Sequence, residues 1–458
     1  MKVDDSNSGR ALLVDLYELT MAAAYFEHRI DCRATFELFV RQLPPERAYL
    51  VAAGIESALE YLESLRFTGD DIHFLRNQPA FRTVSADFFE YLKAFRFTGD
   101  VLALPEGSLL FAEEPILQVT APVLEAQIVE TYLLSVINFE TLIASKAARV
   151  VGAAQGRGVL EFGTRRAHGP EAGVRAARAA YVGGCVATSN VLAGYRFGIP
   201  LAGTAAHSWT QVFPTERESF EALLDTYPER AILLIDTYDS LAGAETAATL
   251  GRRLPGVRLD SGDLLEKSRQ VRAILDHHGH TNARIVASGD LNEYKIEELV
   301  ARGAPIDTFG VGTDLATSRD VPTLSVVYKL VETERAGRTE YKTKFSDQKV
   351  HWPGRKQVFR FLHNGQFDHD VIARATEGFP EASALLEPVM QDGRRIAPPL
   401  PLAEVRARAL ANVARLPKRF RALRDAPPYP VAKSAALERL LDEIREQYLG
   451  VPRGAGTD

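Results

Sequence analysis

Apolar residues recur at helical spacing from Leu12 and Leu13 through Leu16, Leu19 and Ala23 to Phe26, which predicts a helix beginning near Asp15. Residues 34–42 (ATFELFVRQ) alternate as a strand does. Helical spacing returns over residues 55–95, with a break at Pro79. The pentapeptide RFTGD occurs at Arg66–Asp70 and again at Arg96–Asp100. Its flanks do not align, so it predicts two similar helix exits through glycine turns rather than a duplicated domain. Residues 101–120, with Pro105 and Pro115, predict a small antiparallel sheet.

The pattern changes at residue 123. A long helical run, Val123–Gly152, leads into short apolar runs separated by polar loops and helical stretches. The runs are 159–162, 199–203, Ile232–Ile235, Val257–Leu259, Ile285–Ala287 and Thr308–Val311, with Leu324–Leu330 as a candidate seventh. That spacing is what a parallel strand followed by a crossover helix requires. Six or seven such units predict an irregular, TIM-like α/β barrel. An open doubly wound sheet would show a G-x-G-x-x-G turn after its first strand, and none is present. Residues 335–458 are polar and rich in Pro and Arg. They carry a strand-like pair, Tyr341–Phe345 with Val358–Leu362, and a helix over Ala432–Tyr448 expected to pack on the first domain, before ten residues expected to fray. The predicted division is 1–122, an α+β sandwich; 123–332, the barrel; and 333–458, a segment returning to complete the sandwich.

Composition narrows the classes. The chain has 458 residues, too many for one ordinary core. Its 46% hydrophobic and 25% charged residues are those of a globular protein. A net charge of -6 with no isolated basic block argues against nucleic acid as a partner. No apolar run approaches the roughly 20 residues that span a bilayer, and the polar start MKVDDSNSGR lacks the apolar stretch of a secretory signal. Cys32 and Cys185 are the only cysteines; far apart in sequence, they read as free thiols in a reducing compartment, so a cytoplasmic protein is expected.

Candidate chemistry sits at the carboxyl ends of the predicted barrel strands, where such barrels place reactive groups. His207 follows the run Ile199–Ala202 and the small residues Gly203-Thr204-Ala205-Ala206. A lone histidine is more often structural; this loop position favours chemistry. An imidazole nucleophile needs a carboxylate on its other nitrogen to fix the tautomer, and Asp236, in LLIDTYD, is the expected partner. Arg258-Leu259-Asp260 runs into Ser261-Gly262-Asp263, and the next strand ends in Ser288-Gly289-Asp290. Each triplet reads as a turn with a helix cap, and helix N-termini attract phosphate. Two copies on successive strands say more than one. Gly310-Val311-Gly312-Thr313 follows, and the backbone N–H groups of Gly289, Gly312 and Thr313 are placed to cradle a phosphate.

Six segments, in the order DLYELTM, EFGTRRAHGPE, TSNVLAGYRFGIP, GTAAHSW, RLDSGD and ASGDLNE, resemble the nicotinate phosphoribosyltransferase family across most of residues 10–330. The resemblance implies phosphoryl transfer from ATP to His207. It makes Arg258 a cation for the substrate and Asp260 a ribose or phosphate-side ligand. It assigns Phe162 and Tyr17 to the two faces of the pyridine ring, beside Arg165, and brings Tyr17 from a neighbouring subunit, which implies a homodimer with shared active sites. The nicotinamide-using relative places an aspartate at the position of Ser189. Serine there, with Arg258 and Thr204 as donors, suits a carboxylate instead. The family commonly has glutamine where His168 stands, and a histidine can still donate one hydrogen bond. Two cysteines cannot build the tetrathiolate zinc module that some members add.

The reaction so implied joins nicotinate to phosphoribosyl pyrophosphate, giving nicotinate mononucleotide and pyrophosphate, with ATP hydrolysed and Mg²⁺ on the pyrophosphate. The alternatives are a nicotinamide-specific enzyme on the same fold and a non-catalytic phosphosugar-binding homologue.

Overall fold

A computed structural model describes residues 9–345 and 350–450. Its first sheet is seven-stranded and antiparallel at its centre, where Arg33–Val40 pairs with Pro115–Pro122 on one side and Val326–Arg335 on the other. Asp100–Ala103 joins Pro115–Pro122, and Glu387–Gln391 then pairs with Asp100–Ala103, so a segment beyond the parallel sheet completes this one. A four-stranded sheet around Lys356–His363 and Gln366–Arg374 is tied to it by a buried ion pair, Lys356 Nζ to Glu37 at 2.7 Å. Helices Leu16–Glu27, Ile55–Ser64, Gly69–Arg76 and Ala86–Ala94 enclose the same apolar cluster.

Six parallel strands form the second sheet, in the order Ala187–Thr188, Gly158–Glu161, Thr308–Val311, Arg284–Ala287, Gly256–Leu259 and Ile232–Leu234. Leu201 adds a single parallel bridge to Thr188. The sheet curls: its two edges, at Leu201 and Ile232, line one cavity of about 900 Å³ that reaches Gly203 and Thr204. No ladder joins these edges among the described residues. Leu233, Val257, Ile285 and Phe309 are fully buried, as short continuous apolar strands covered on both faces should be. Helices Leu264–His277 and Glu293–Ala301 begin directly after the polar turns, capped by Asp263 and Asn292, whose side chains accept from backbone N–H groups.

Several expectations need correction. The run Leu324–Leu330 is no parallel strand; it belongs to Val326–Arg335, antiparallel to Arg33–Val40. Residues 199–203 form only the bridge at Leu201. The strands near Tyr341 and Val358 do not pair with each other: Arg338–Tyr341 turns back on Val326–Arg335, and Lys356–His363 pairs with Gln366–Arg374. The closing helix, Ala435–Leu449, buries Leu437 against Val358 and Ile372 of the four-stranded sheet rather than the first domain. The two RFTGD copies both leave helices, but neither uses a left-handed glycine. Thr68 caps the next helix with a reciprocal Asp71 capping box, whereas Gly99 packs so tightly on Ala121 and Phe97 that a Cβ would overlap both. Of the tail expected to fray, residues 451–458 lie outside the described residues, as does most of the polar N-terminus.

Candidate active site

Arg258, near the end of Gly256–Leu259, gathers groups from the carboxyl ends of Arg284–Ala287 and Gly158–Glu161 and from the loop after Leu201. Its Nε donates to Ser288 Oγ at 2.7 Å, Nη1 to Thr204 Oγ1 at 2.5 Å and Nη2 to Asp260 Oδ1 at 2.7 Å. The guanidinium carbon stands 5.9 Å from the centre of the Phe162 ring. A planar cation is thus fixed in orientation beside an aromatic face, with its side chain 12% exposed. The flat ring of Phe162 has its own reason for lying there. A Cβ on Gly310 would fall 2.6 Å from it, so glycine in that strand makes the room.

His207 opens the helix His207–Val212 and is half-exposed. Its Nδ1 meets Thr237 Oγ1 at 3.2 Å, and its Nε2 lies 3.9 Å from Asp260 Oδ2. The expected Asp236 partner is therefore replaced by the next residue. Asp236 turns the other way: its Oδ2 accepts from the Asp260 backbone N–H at 2.9 Å and from Ser261 Oγ at 2.8 Å, while its Oδ1 is buried without a hydrogen-bond partner. Asp236 shapes the loop after the neighbouring strand. Thr237 was missed because a threonine after an aspartate reads as loop filler; the signal was its place at the same strand end.

The two Ser-Gly-Asp turns lie side by side. Gly289 has φ +99°, and a Cβ there would sit 2.2 Å from the Asp260 carbonyl oxygen, so only glycine admits this approach. Ser288 Oγ also donates to Asp260 Oδ1 at 2.5 Å. Asp263 acts as a helix cap, its Oδ1 accepting from the N–H groups of Leu265 and Glu266. Asp290, at φ +47°, is exposed, and its carbonyl accepts from Lys295 Nζ at 2.7 Å. Ser261 and Gly262 are exposed at the first turn. Gly312 caps the short helix Thr313–Ala316 across from the Phe162 carbonyl.

The remaining expected residues divide. Ser189 is exposed just past Ala187–Thr188, and Arg165 is exposed in the turn Thr164–Arg166. Tyr17 lies on the first helix, 45% exposed, where burial of its hydroxyl and the nearby Glu130 carboxylate push its pKa up. Glu161 escaped sequence reading. This buried carboxylate accepts from Thr188 Oγ1 at 2.6 Å and from the Gly163 N–H, which fixes the turn that carries Phe162. Burial raises its pKa. A lone acidic residue ending an apolar strand was the available signal.

Comparison with known proteins gives the family. Residues 12–138 match the nicotinate phosphoribosyltransferase N-terminal domain, 158–350 the nicotinate phosphoribosyltransferase family, and 379–441 its C-terminal domain. A nicotinate phosphoribosyltransferase of Mycobacterium tuberculosis is 46% identical over 442 residues, covering 95% of this chain and 93% of the relative. One from Bacillus subtilis is 46% identical over 81% of this chain and 76% of its own length. The crystal structure of the human nicotinic acid phosphoribosyltransferase superposes with a TM-score of 0.81 at 30% identity, covering 94% of this chain and 99% of that one. Matched from its N-terminal domain to its C-terminal one, the chain belongs to the nicotinate phosphoribosyltransferase family.

Proposed function

We propose that the chain transfers phosphoribosyl from phosphoribosyl pyrophosphate to nicotinate, coupled to ATP hydrolysis through phosphorylation of His207. The observation that carries this reading is the clamped Arg258. Thr204, Ser288 and Asp260 hold its guanidinium beside Phe162, so a flat ring resting on Phe162 can present a carboxylate to a fixed cation. Ser189 brings no like charge to repel that carboxylate, which favours the acid over the amide.

In the transfer step the C1–O bond to pyrophosphate breaks, and pyrophosphate leaves with the electron pair. The ring nitrogen of nicotinate supplies the pair for the new C1–N bond. The protein's part is to position the two reactants and neutralise charge, so no side-chain nucleophile is required. Arg258, Thr204 and Phe162 orient nicotinate; Asp260 faces the ribose; the N–H groups of Gly289, Gly312 and Thr313 receive the 5-phosphate between the Ser288-Gly289-Asp290 and Gly310–Thr313 turns.

In the coupling step, we assign His207 the tautomer with its proton on Nδ1, facing Thr237 Oγ1 at 3.2 Å, which leaves the lone pair on Nε2. Nε2 attacks the terminal phosphorus of ATP, forming N–P as the P–O bond to ADP breaks. Phosphorylated His207 tightens substrate binding, and attack of water on its N–P bond then releases phosphate, restores the imidazole and drives the equilibrium forward.

Among the described residues no three His, Cys, Asp or Glu side chains could hold a metal by themselves. The donor set nonetheless suits Mg²⁺, which is usually bound by one or two carboxylates together with phosphate oxygens and water. The partnerless Asp236 Oδ1 is the oxygen we assign to it. When bound, the ion neutralises charge on the pyrophosphate.

We also assign Tyr17 to the site of a second copy in a homodimer. Leu13, Leu16, Tyr17 and Met21 are exposed together around the first helix, an apolar face suited to a partner. The curled parallel sheet is read as an irregular barrel open between Leu201 and Ile232. No helix of the described residues is long and apolar enough to cross a membrane, and the free thiols Cys32 and Cys185 suit the cytoplasm. Measuring pyrophosphate release with nicotinate or nicotinamide, with and without ATP, tests the whole reading. Preference for the amide, or indifference to ATP, would refute it.

A further inference from the structure

Lys146, on the long helix Glu130–Ala153, has its side chain 1% exposed. Its Nζ lies 2.6 Å from Glu293 Oε2 and 2.8 Å from Asp320 Oδ1. Glu293 is the first residue of the helix entered from the Ser288-Gly289-Asp290 turn. Asp320 lies just beyond the short helix Thr313–Ala316 that follows Gly310-Val311-Gly312. One ammonium therefore holds two chain segments, each the direct continuation of a proposed phosphate turn. Other cations complete the brace. Arg149 Nε donates to Glu293 Oε1 at 3.1 Å, and Arg47 Nη2 to Asp320 Oδ2 at 3.0 Å and Ser318 Oγ at 3.1 Å. Asp314, buried on the short helix, also feels the Lys146 charge.

We propose that Lys146 is a positioning residue for phosphoribosyl pyrophosphate, setting the separation of the two turns that cradle its 5-phosphate. The inference rests on the phosphate-site reading above. Its physics is that buried Glu293 and partly exposed Asp320 are drawn to one ammonium; once it is gone nothing ties them together and the two carboxylates repel, with little water to screen the Glu293 end. The turns then move apart. A phosphate that needs N–H groups from both loses its fit directly, whereas nicotinate feels the change only through Ser288 and Gly310, with Thr204 and Asp260 still holding Arg258.

Steady-state kinetics of K146M, with D320N as the milder variant at the half-exposed end of the brace, tests this. The expected result is a KM for phosphoribosyl pyrophosphate raised tenfold or more in K146M and several-fold in D320N, with the KM for nicotinate rising by a clearly smaller factor in each. Equal rises in both KM values, or no rise in D320N, overturn the proposal; if K146M fails to fold, D320N alone decides. Gly312→Val separates the two readings, because its side chain enters the cradle itself. A raised KM for phosphoribosyl pyrophosphate in Gly312→Val but not in D320N rejects the brace alone; no rise in Gly312→Val rejects the phosphate site.

Discussion

Asp260 stands between the two halves of the site: Oδ2 lies 3.9 Å from His207 Nε2, and Oδ1 accepts from Arg258 Nη2 at 2.7 Å. In the proposed function, this carboxylate is shared by the phosphoryl acceptor His207 and by Arg258, the cation proposed to hold nicotinate, and so links the coupling chemistry to the substrate. Its own backbone N–H is fixed by Asp236. The order of influence runs from Asp236 through Asp260 to both functional side chains.

His207→Ala should abolish ATP hydrolysis and leave slow, ATP-independent transfer, because the phosphoryl acceptor is not the glycosyl nucleophile. Assaying ADP and nicotinate mononucleotide in parallel checks this, and normal ATP hydrolysis in the variant would remove His207 from the role. Thr237→Val should cause a partial loss of ATP hydrolysis, since Nδ1 loses the hydroxyl that fixes the tautomer. Asp236→Asn should disturb both half-reactions, since it anchors the Asp260 loop and not the imidazole.

Arg258→Ala should raise the KM for nicotinate. A charge-assisted hydrogen bond to a carboxylate contributes about 1.5–3 kcal/mol, or roughly 10- to 150-fold. Thr204→Val should give a smaller rise, because Nη1 then loses its 2.5 Å partner while the charge remains. An unchanged KM in Arg258→Ala would place nicotinate elsewhere.

Glu18 supplies a pH prediction. Burial lifts its pKa from 4.5 to about 7, and one carboxyl oxygen accepts from Thr131 N at 2.9 Å while the other is buried without a partner. A carboxyl whose folded pKa is raised favours the folded state while protonated. That contribution is complete below about 4.5 and is lost as pH rises through about 7. Glu18→Gln keeps the acceptor and removes the charge, so it should be neutral near pH 4 and stabilising at pH 8. The gain is about 1–2 kcal/mol once solvent screening beside exposed Tyr17 and Asp15 is counted. Unfolding midpoints of the two proteins across this range check the sign; a constant difference would exclude Glu18 as the titrating group.

How much was legible follows from where each constraint lies. The parallel strands show in the sequence because each is a continuous apolar run ended by polar turn residues, and five of them fall within a residue of the observed bounds. Ala187–Thr188 is too short to announce itself; two residues carry no periodicity. The partners of the first sheet were hidden for another reason. Arg33–Val40 pairs with Val326–Arg335 across nearly three hundred residues, and a strand's own pattern does not specify so distant a neighbour. The site behaved likewise. Arg258, Asp260 and both Ser-Gly-Asp turns were visible as residue types at strand ends, but the choice between Asp236 and Thr237 for His207 depends on side-chain direction at a loop. Lys146 was invisible, since a lysine inside a long helix reads as solvent-facing until its partners are seen.

The last prediction concerns the subunit that supplies Tyr17. The first helix is anchored in its own chain, where Thr131 Oγ1 donates to Asp15 at 3.0 Å and its backbone N–H to Glu18 at 2.9 Å. Those bonds fix the helix against the start of Glu130–Ala153, while Tyr17 stays 45% exposed. A ring left open on an apolar face is available to a second copy, and a head-to-tail pair would bring it to the partner's Phe162. Tyr17→Ala and His207→Ala proteins, each inactive in ATP-coupled synthesis, should then recover activity when mixed and allowed to exchange subunits. A mixed dimer has one site with both defects and one with neither, so random exchange should restore about a quarter of the parental activity. If mixtures whose exchange is proven by mass stay inactive, Tyr17 works within its own chain, and the exposed helix face must be explained by another contact.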